Sequence, residues 1–407
     1  MSKVKRPLDG IRVVALEQYM SAPYCSMLLA DAGAEVIKVE RPGTGDPRRS
    51  IPPFVEKGGK KKAGGFMAYN RNKKSFALNI REEAGKKIYL DLVKKADVVV
   101  ENLRPGSTDK MGIGYKDLKK INPRLVYAAI SGFGRMEGYE GPLSNRPAFD
   151  IVAEAMSGIM HLVGFEDKPP SWTIYGMADV YTGLCTSFAI MQALFMRERT
   201  GEGQFVDSAM LDNMISLNER MVMLYSITGQ EPHRGRLKHL YPRGAFQCKD
   251  GYLALNVPDD LIWARLCKVI NREDLIEDER SRSGTTRASN AAFLRPIIEE
   301  WLKIRTREEA EETMNSSGIP VGSVYTAEDI FASPQVEARK MLLNIEDPDV
   351  GNNKFARGPV MLSSSPEPRQ SPAPELGQHS REILTKILEK TDEEISQLED
   401  AGITQLG

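Results

Sequence analysis

One carboxylate stands out by its setting. Asp179 lies in the run Gly176-Met177-Ala178-Asp179-Val180-Tyr181-Thr182-Gly183, just ahead of a long apolar stretch that closes with Arg197-Glu198-Arg199-Thr200-Gly201-Glu202-Gly203-Gln204. The small residues around it leave room for a substrate carbonyl to approach. A carboxylate at a helix mouth either caps the helix or acts as a covalent nucleophile. The spacing by itself leaves both roles open.

Groups suited to anions recur at strand ends. Glu40-Arg41-Pro42-Gly43 follows one apolar strand, and Glu101-Asn102-Leu103-Arg104-Pro105-Gly106 follows another, with Lys110 a turn later. Arg71-Asn72-Lys73-Lys74 runs into a third. Open α/β sheets bind ligands at strand termini, and Arg and Lys match phosphate oxygens. Any one of these cations could be an ordinary solvated charge; the three sets together point to an anionic, adenine-bearing ligand. A nicotinamide dinucleotide is not expected. Gly132-Phe133-Gly134-Arg135-Met136-Glu137-Gly138 has three residues where the GxGxxG fingerprint has two, and Gly112-Ile113-Gly114 follows a loop. No GxxxxGK[ST] run exists, which excludes a P-loop.

The chain that must position these groups has 407 residues, 41% hydrophobic and 27% charged, enough for two or three domains with a substantial core. Its 55 basic and 56 acidic residues leave a net charge of -1. No excess of positive charge calls for nucleic acid or an anionic membrane surface. Lys3-Val4-Lys5-Arg6 has no apolar stretch behind it, so no signal peptide is expected. No run of about 18 apolar residues predicts a membrane span. Cys25, Cys185, Cys248 and Cys267 are scattered, as are the four histidines. Free thiols, a cytoplasmic setting and no metal site are the expectation.

Residues 11–16 read as a buried strand, followed by a helix opened by Pro23 and closed by Gly33, and then a strand at 34–40. This strand–helix–strand start predicts a parallel sheet. Residues 41–65 read as a long surface loop, 75–80 as a strand, 83–95 as a helix, and 97–101 and 125–130 as strands. Helices are predicted at 150–160, 182–196 and 210–227, the second apolar all round and therefore buried. Met210, Met214, Met221 and Met223 on the third read as core packing. A basic loop at 233–244, a strand at 252–257 and charged helices suggest a smaller α+β domain. After a Pro/Ser-rich connector at 363–374 comes a helix at 380–389. The predicted fold class is thus α/β. The N-terminal half reads as an open, Rossmann-like parallel sheet, and the composition changes near 228 and 345.

Several motifs, taken in order, resemble the class III CoA transferase family, which includes formyl-CoA transferase, carnitine CoA transferases and α-methylacyl-CoA racemase. They are Pro7-Leu8-Asp9-Gly10-Ile11-Arg12-Val13, the run from Gly33 to Gly43, Asn72-Lys73-Lys74-Ser75, the run from Ala96 to Asn102, and Asn122-Pro123-Arg124-Leu125. Then come Ser131-Gly132-Phe133-Gly134, Asp179 with Gly183, the run from Arg199 to Gln204, Gly318-Ile319-Pro320-Val321 and Leu376-Gly377-Gln378-His379-Ser380. The ordered set spans nearly the whole chain.

The resemblance implies roles position by position. The family's nucleophilic aspartate falls on Asp179. Contacts to coenzyme A, as substrate rather than resident cofactor, fall on Arg41, Leu78, Arg81, Asn102, Leu103, Arg104 and Lys110. Met20 and Ser21 stand where formyl-CoA transferase has glutamine and alanine. Asp150, after Phe149, matches an acidic neighbour of the nucleophile. The racemases carry a proton-transferring histidine where this chain has Phe149, which favours CoA transfer from a donor such as succinyl-CoA to a carboxylic acid over racemisation of a 2-methylacyl-CoA. Retention of Asp179 argues against a non-catalytic CoA-binding subunit. Formyl-CoA transferase has a run of glycines where this chain has Arg234 to Gly244, and the cationic replacement suggests a larger or dicarboxylic acceptor. His239, Tyr241 and the Met221–Met223 region are candidates for the acyl pocket. The family also implies a large domain built from both chain ends, 1–225 and 341–407, around a smaller domain at 226–340, and an interlocked homodimer; a hetero-oligomer with a related subunit is the alternative.

Overall fold

The structure is a computed structural model that describes residues 6–235 and 240–407. Its contacts divide the chain into two compact units. One comprises residues 1–163, 169–233 and 340–407; the other comprises 164–168 and 234–339.

The first unit is built on a sheet of seven strands. Its parallel members are β1 (Arg12–Leu16), β2 (Glu35–Glu40), β5 (Lys74–Leu78), β6 (Val98–Glu101), β7 (Val126–Ser131) and β8 (Phe205–Ala209). Between β2 and β5 lies a hairpin of β3 (Phe54–Lys57) and β4 (Lys60–Ala63). The strand order is β5-β2-β1-β6-β7-β8, with a C-terminal strand (Thr404–Gln405) added antiparallel outside β5. Counting only the parallel strands along the chain, the order is third, second, first, fourth, fifth, sixth. The order therefore reverses direction between β1 and β6, and such a switch point leaves a crevice at the strands' carboxyl ends.

Alternation along each strand fills both faces. Val13, Ala15, Val98, Val100, Val126 and Ala128 face one core, which also holds residues of α1 (Ser21–Asp31) and of the long helix Met177–Thr200. Val14, Val99, Tyr127 and Ala129 face the other, with Ile88, Tyr89, Leu92 and Val93 of the helix Glu83–Lys94 and with Ile383, Leu384 and Ile395 from the C-terminal region. Gly377-Gln378-His379-Ser380 is stitched onto β5: the Gly377 N–H donates to Ser75 Oγ, the His379 N–H to the Ser75 carbonyl, and the Ala77 N–H to Ser380 Oγ. That C-terminal motif is structural.

The second unit carries an antiparallel sheet of Arg243–Cys248, Gly251–Asn256 and Val321–Ser323, with Gly251–Asn256 in the centre. Trp263, Leu266, Leu294 and Ile298 are among its core residues. Among the described residues, no helix is long and apolar enough to cross a membrane.

Several sequence expectations are corrected. The loop expected at 41–65 contains a 3-10 turn at Pro47–Ser50, the β3–β4 hairpin and the start of the helix Gly64–Asn70. The helix expected at 210–227 is interrupted at Asn218, whose amide Nδ2 donates to the Ser157 carbonyl. The helix expected at 182–196 runs from Met177 to Thr200. Asp179 is therefore within its first turn rather than ahead of it. That helix is not buried all round, since Phe188, Phe195 and Met196 are exposed. The apolar pattern marks which residues avoid water, not how much of the helix this chain itself covers.

Candidate active site

A cleft of about 1190 Å³ opens at the carboxyl ends of the parallel strands. Residues from the ends of β1, β2, β5, β6 and β7 (Leu16, Val39, Leu78, Asn102 and Ser131) line it, as the switch point requires. Asp179 lies on its wall, as do Met20, Ser21, Arg41, Leu78, Arg81, Asn102, Leu103, Arg104, Lys110, Phe149 and Asp150.

Asp179 occupies the third position of the helix Met177–Thr200, counted from Gly176 as its cap. Two contacts hold it there. Gly183, one turn on, lets this helix lie directly on the start of α1: a Cβ at 183 would sit 2.5 Å from the Ser21 carbonyl oxygen. This close approach brings Ser21 to the Asp179 carboxyl, where its hydroxyl favours the ionised form. Asp150 then caps the helix from outside the segment. Its carboxylate accepts from the N–H groups of Ala178 at 2.7 Å, Gly176 at 3.2 Å and Asp179 at 3.3 Å. The Met177 N–H donates to the Ile174 carbonyl. The open N–H groups of the helix terminus are thus engaged by Asp150 and Ile174. The capping role that the spacing left open for Asp179 is taken by Asp150.

Burial, and then the negative charge of Asp150, raise the Asp179 carboxyl to about 6. The Ser21 hydrogen bond and the charge of Arg48 act in the opposite sense. A carboxylate with this basicity is still largely ionised at neutral pH, and is a better nucleophile than an ordinary surface aspartate.

The cations sort into two classes. Arg71 donates to Asp31 at 2.7 Å, Lys73 to Glu17 at 2.7 Å, and Lys74 to Glu35 at 2.8 Å. Lys73 and Glu17 are fully buried and share a network with Lys38, Asp46 and Asn70. Burial, with the charge of Lys38, lowers Lys73 to about 8 against the pull of Glu17. These three cations are structural, which corrects their reading as phosphate ligands: each is paired with a carboxylate distant in sequence. Arg41, Arg81, Arg104 and Lys110 are exposed and lie on the cleft. Among the described residues none of the four forms an ion pair, so their charges are available to an anion in the cleft.

Asn102 works across the switch point. Its side chain accepts from the Gln18 N–H at 2.9 Å and donates to the Gln18 carbonyl at 2.7 Å, so it ties the loop after β1 to the end of β6. Phe149 is 65% exposed and stacks edge-on against Tyr19. Tyr241, expected in the acyl pocket, is instead a core residue of the second unit, 1% exposed and packed against Phe246. His239 lies outside the described residues. The cleft also holds residues that the sequence reading missed, among them Arg48, Lys86, Trp172 and Tyr175. Pro47-Arg48-Arg49-Ser50 carried no signal beyond its charge.

A carboxylate of raised basicity beside exposed cations that form no ion pair among the described residues suits acyl transfer from a phosphate-bearing thioester. The comparisons agree. The sequence matches CoA-transferase family III over residues 8–380. It is 38% identical over 381 residues to a succinyl-CoA:mesaconate CoA-transferase of Haloarcula marismortui, covering 93% of this chain and 95% of that one. It is 36% identical to a succinyl-CoA:glutarate CoA-transferase of Mus musculus, covering 98% and 91%. The crystal structure of a CAIB/BAIF family protein from Brucella suis superposes with a TM-score of 0.85 at 35% identity, covering 94% of this chain and 100% of the other. This chain belongs to CoA-transferase family III and is a CoA-transferring enzyme.

Proposed function

We propose that this enzyme moves CoA from succinyl-CoA to a dicarboxylic acid, with Asp179 as the covalent carrier. The observation that carries the reading is the position of Asp179. It is a single carboxylate of raised basicity on a cleft whose rim bears Arg41, Arg81, Arg104 and Lys110. Relatives that use succinyl-CoA with mesaconate, glutarate or D-citramalate support the donor and the acceptor class.

The rim cations hold the diphosphate and 3′-phosphate of CoA, and the pantetheine arm brings the thioester to Asp179. An Asp179 oxygen attacks the thioester carbonyl. The C–S bond breaks, CoA leaves as thiolate, and a mixed aspartyl–succinyl anhydride remains. The thiolate then attacks the Asp179 carbonyl of that anhydride, releasing succinate and leaving an aspartyl-CoA thioester. The acceptor carboxylate attacks this thioester and expels the thiolate again. The thiolate takes the acceptor acyl group and returns the Asp179 carboxylate. Every step exchanges one carboxylate or thiolate for another, so no proton has to be moved. Phe149, which has no proton to exchange, is compatible with this chemistry and not with a two-base racemisation. Because Asp150 and Ile174 engage the N–H groups of the nucleophile's own helix, the oxyanion donors are drawn from elsewhere on the cleft.

Asp179→Ala is expected to lower succinate–dicarboxylate exchange of CoA by at least 10³-fold while CoA binding stays within about threefold. Hydroxylamine treatment of wild-type enzyme mixed with succinyl-CoA should leave a hydroxamate on the peptide containing Asp179, read by mass spectrometry. Undiminished turnover in the variant, or a modified residue elsewhere, would refute the assignment.

A further inference from the structure

The 3-10 turn Pro47–Ser50 carries two arginines with opposite circumstances. Arg49 is satisfied: its guanidinium forks onto Glu40 at 2.8 Å twice and donates to the Pro374 carbonyl at 3.0 Å. Arg48 is only 6% exposed, yet no carboxylate among the described residues pairs with it. Among the described residues its one side-chain hydrogen bond runs from Nη1 to the Tyr175 hydroxyl at 3.1 Å, and its buried Nε has no partner. Its backbone is held firmly, because the Arg48 N–H donates to the Asp46 side chain, which also takes the Lys38 ammonium at 2.9 Å. Space for the guanidinium is built in. A Cβ at Gly65 would lie 2.5 Å from both Arg48 Nε and Nη2. Arg48 and Tyr175 both line the cleft with Asp179.

A buried guanidinium without a counter-anion is costly, and a fork with most of its five N–H groups free matches a carboxylate two-point. The phosphate-binding role is met on the rim by the exposed cations. What a buried, preformed cation beside the nucleophile adds is recognition of the acyl group. We propose that Arg48, supported by Tyr175, binds the free carboxylate of a dicarboxylic acyl group while its other carboxyl reacts at Asp179. Arg48 is then the residue that selects dicarboxylic over monocarboxylic substrates. This rests on the proposed CoA transfer through Asp179 and adds the group that reads the substrate. A monocarboxylic analogue of equal length would leave the guanidinium buried and unpaired, and a site of that kind discriminates strongly.

The test is the ratio of kcat/KM for succinyl-CoA over butyryl-CoA, each with a matched excess of glutarate. Wild-type enzyme is expected to show a ratio of about 10² or more. In Arg48→Met the ratio should collapse by at least tenfold, with Arg48→Lys intermediate. Gly65→Ala, which keeps the charge but displaces the guanidinium, should lower the ratio in the same direction and guards against misfolding of the Met variant. An unchanged ratio in Arg48→Met and Gly65→Ala would overturn the assignment, whether both donors slow equally or only CoA affinity falls. Hydroxylamine trapping of Asp179 in the same samples separates the two claims. Trapping with an unchanged ratio defeats Arg48 alone, whereas no trapping and no transfer in wild type defeats the covalent mechanism and this inference together.

Discussion

At the scale of the residue, the environment of Asp179 fixes both its reactivity and its pH dependence. Burial and Asp150 raise its carboxyl from the ordinary aspartate value to about 6. In the proposed mechanism attack by Asp179 needs the ionised form, so kcat/KM should fall on the acid side with an apparent pKa near 6 and level off above it. In Arg48→Met, which removes an opposing positive charge, that limb should move to higher pH; a limb that stays in place would show that Arg48 does not act on Asp179. The same shift has a stability consequence. Well below the ordinary aspartate value of 3.8 the side chain is protonated both folded and unfolded, and the shift has no effect. As pH rises through 6 the folded state must hold the charge at a cost. A shift of about two units corresponds to about 3 kcal/mol. Asp179→Asn should therefore be more stable than wild type by about 3 kcal/mol at pH 7.5 and nearly equal to it near pH 3. Urea titrations at the two pH values measure the difference. Asp179 was legible in the sequence through its small neighbours and the surrounding motifs. Arg48 was not. Two adjacent arginines look alike until folding brings Glu40 to one and leaves the other facing a cleft. The misreading of Arg71, Lys73 and Lys74 has the same root, since Asp31, Glu17 and Glu35 reach them only through the packing of α1, β1 and β2.

At the scale of the element, the site depends on one helix being pressed against another. α1 follows the first strand and the helix Met177–Thr200 arrives some 150 residues later. Their contact at Gly183 brings Ser21 to Asp179. Gly183→Ala would put a methyl 2.5 Å from the Ser21 carbonyl and 3.2 Å from the Cys25 nitrogen, both backbone atoms that cannot turn aside. The helices must separate, at a cost of about 1–3 kcal/mol. The rim cations sit on loops after other strands, so the expected outcome is a loss in kcat of tenfold or more with CoA dissociation changed less than threefold. Equal losses in both would mean that the contact supports the whole cleft. Most elements that build this packing were readable. The strands β1, β2, β6 and β7 are short apolar runs, and the helix Glu83–Lys94 shows one apolar face. The helix start at Met177 was missed because its cap is a tertiary one: Asp150 lies 29 residues before Asp179, where no local pattern reveals it. The β3–β4 hairpin was missed because its strands, Phe-Val-Glu-Lys and Lys-Lys-Lys-Ala around Gly58-Gly59, are too polar to read as strands, although a Gly-Gly pair is itself a hairpin signal.

At the scale of the whole molecule, the C-terminal strand reaches the loop that carries a rim cation. Thr404–Gln405 closes the edge of the sheet against β5, and Thr404 Oγ1 donates to the Ala77 carbonyl. Its neighbour Gln405 reaches further: the side-chain oxygen accepts from the Gly43 N–H at 2.8 Å. Gly43 belongs to the loop that begins with Arg41, so the last strand holds the loop that presents a rim cation. Sequence reading placed the C-terminal segment in the large domain through family resemblance, but a two-residue strand leaves no periodicity to detect. Deleting residues 403–407 removes Ile403 from the core face beneath β5, the edge pairing and the Gly43 tether together. It is expected to lower both thermal stability and CoA affinity. Gln405→Ala separates the two effects, because it keeps the strand and removes only the tether. Its melting temperature should stay near wild type while CoA dissociation weakens about two- to fivefold, the scale of one lost hydrogen bond. The weakening should be absent in an Arg41→Ala background, because the tether acts by positioning that cation. Isothermal titration of CoA into the four proteins gives the cycle. Additive losses in the double variant would show that Gln405 supports the sheet edge without serving the rim.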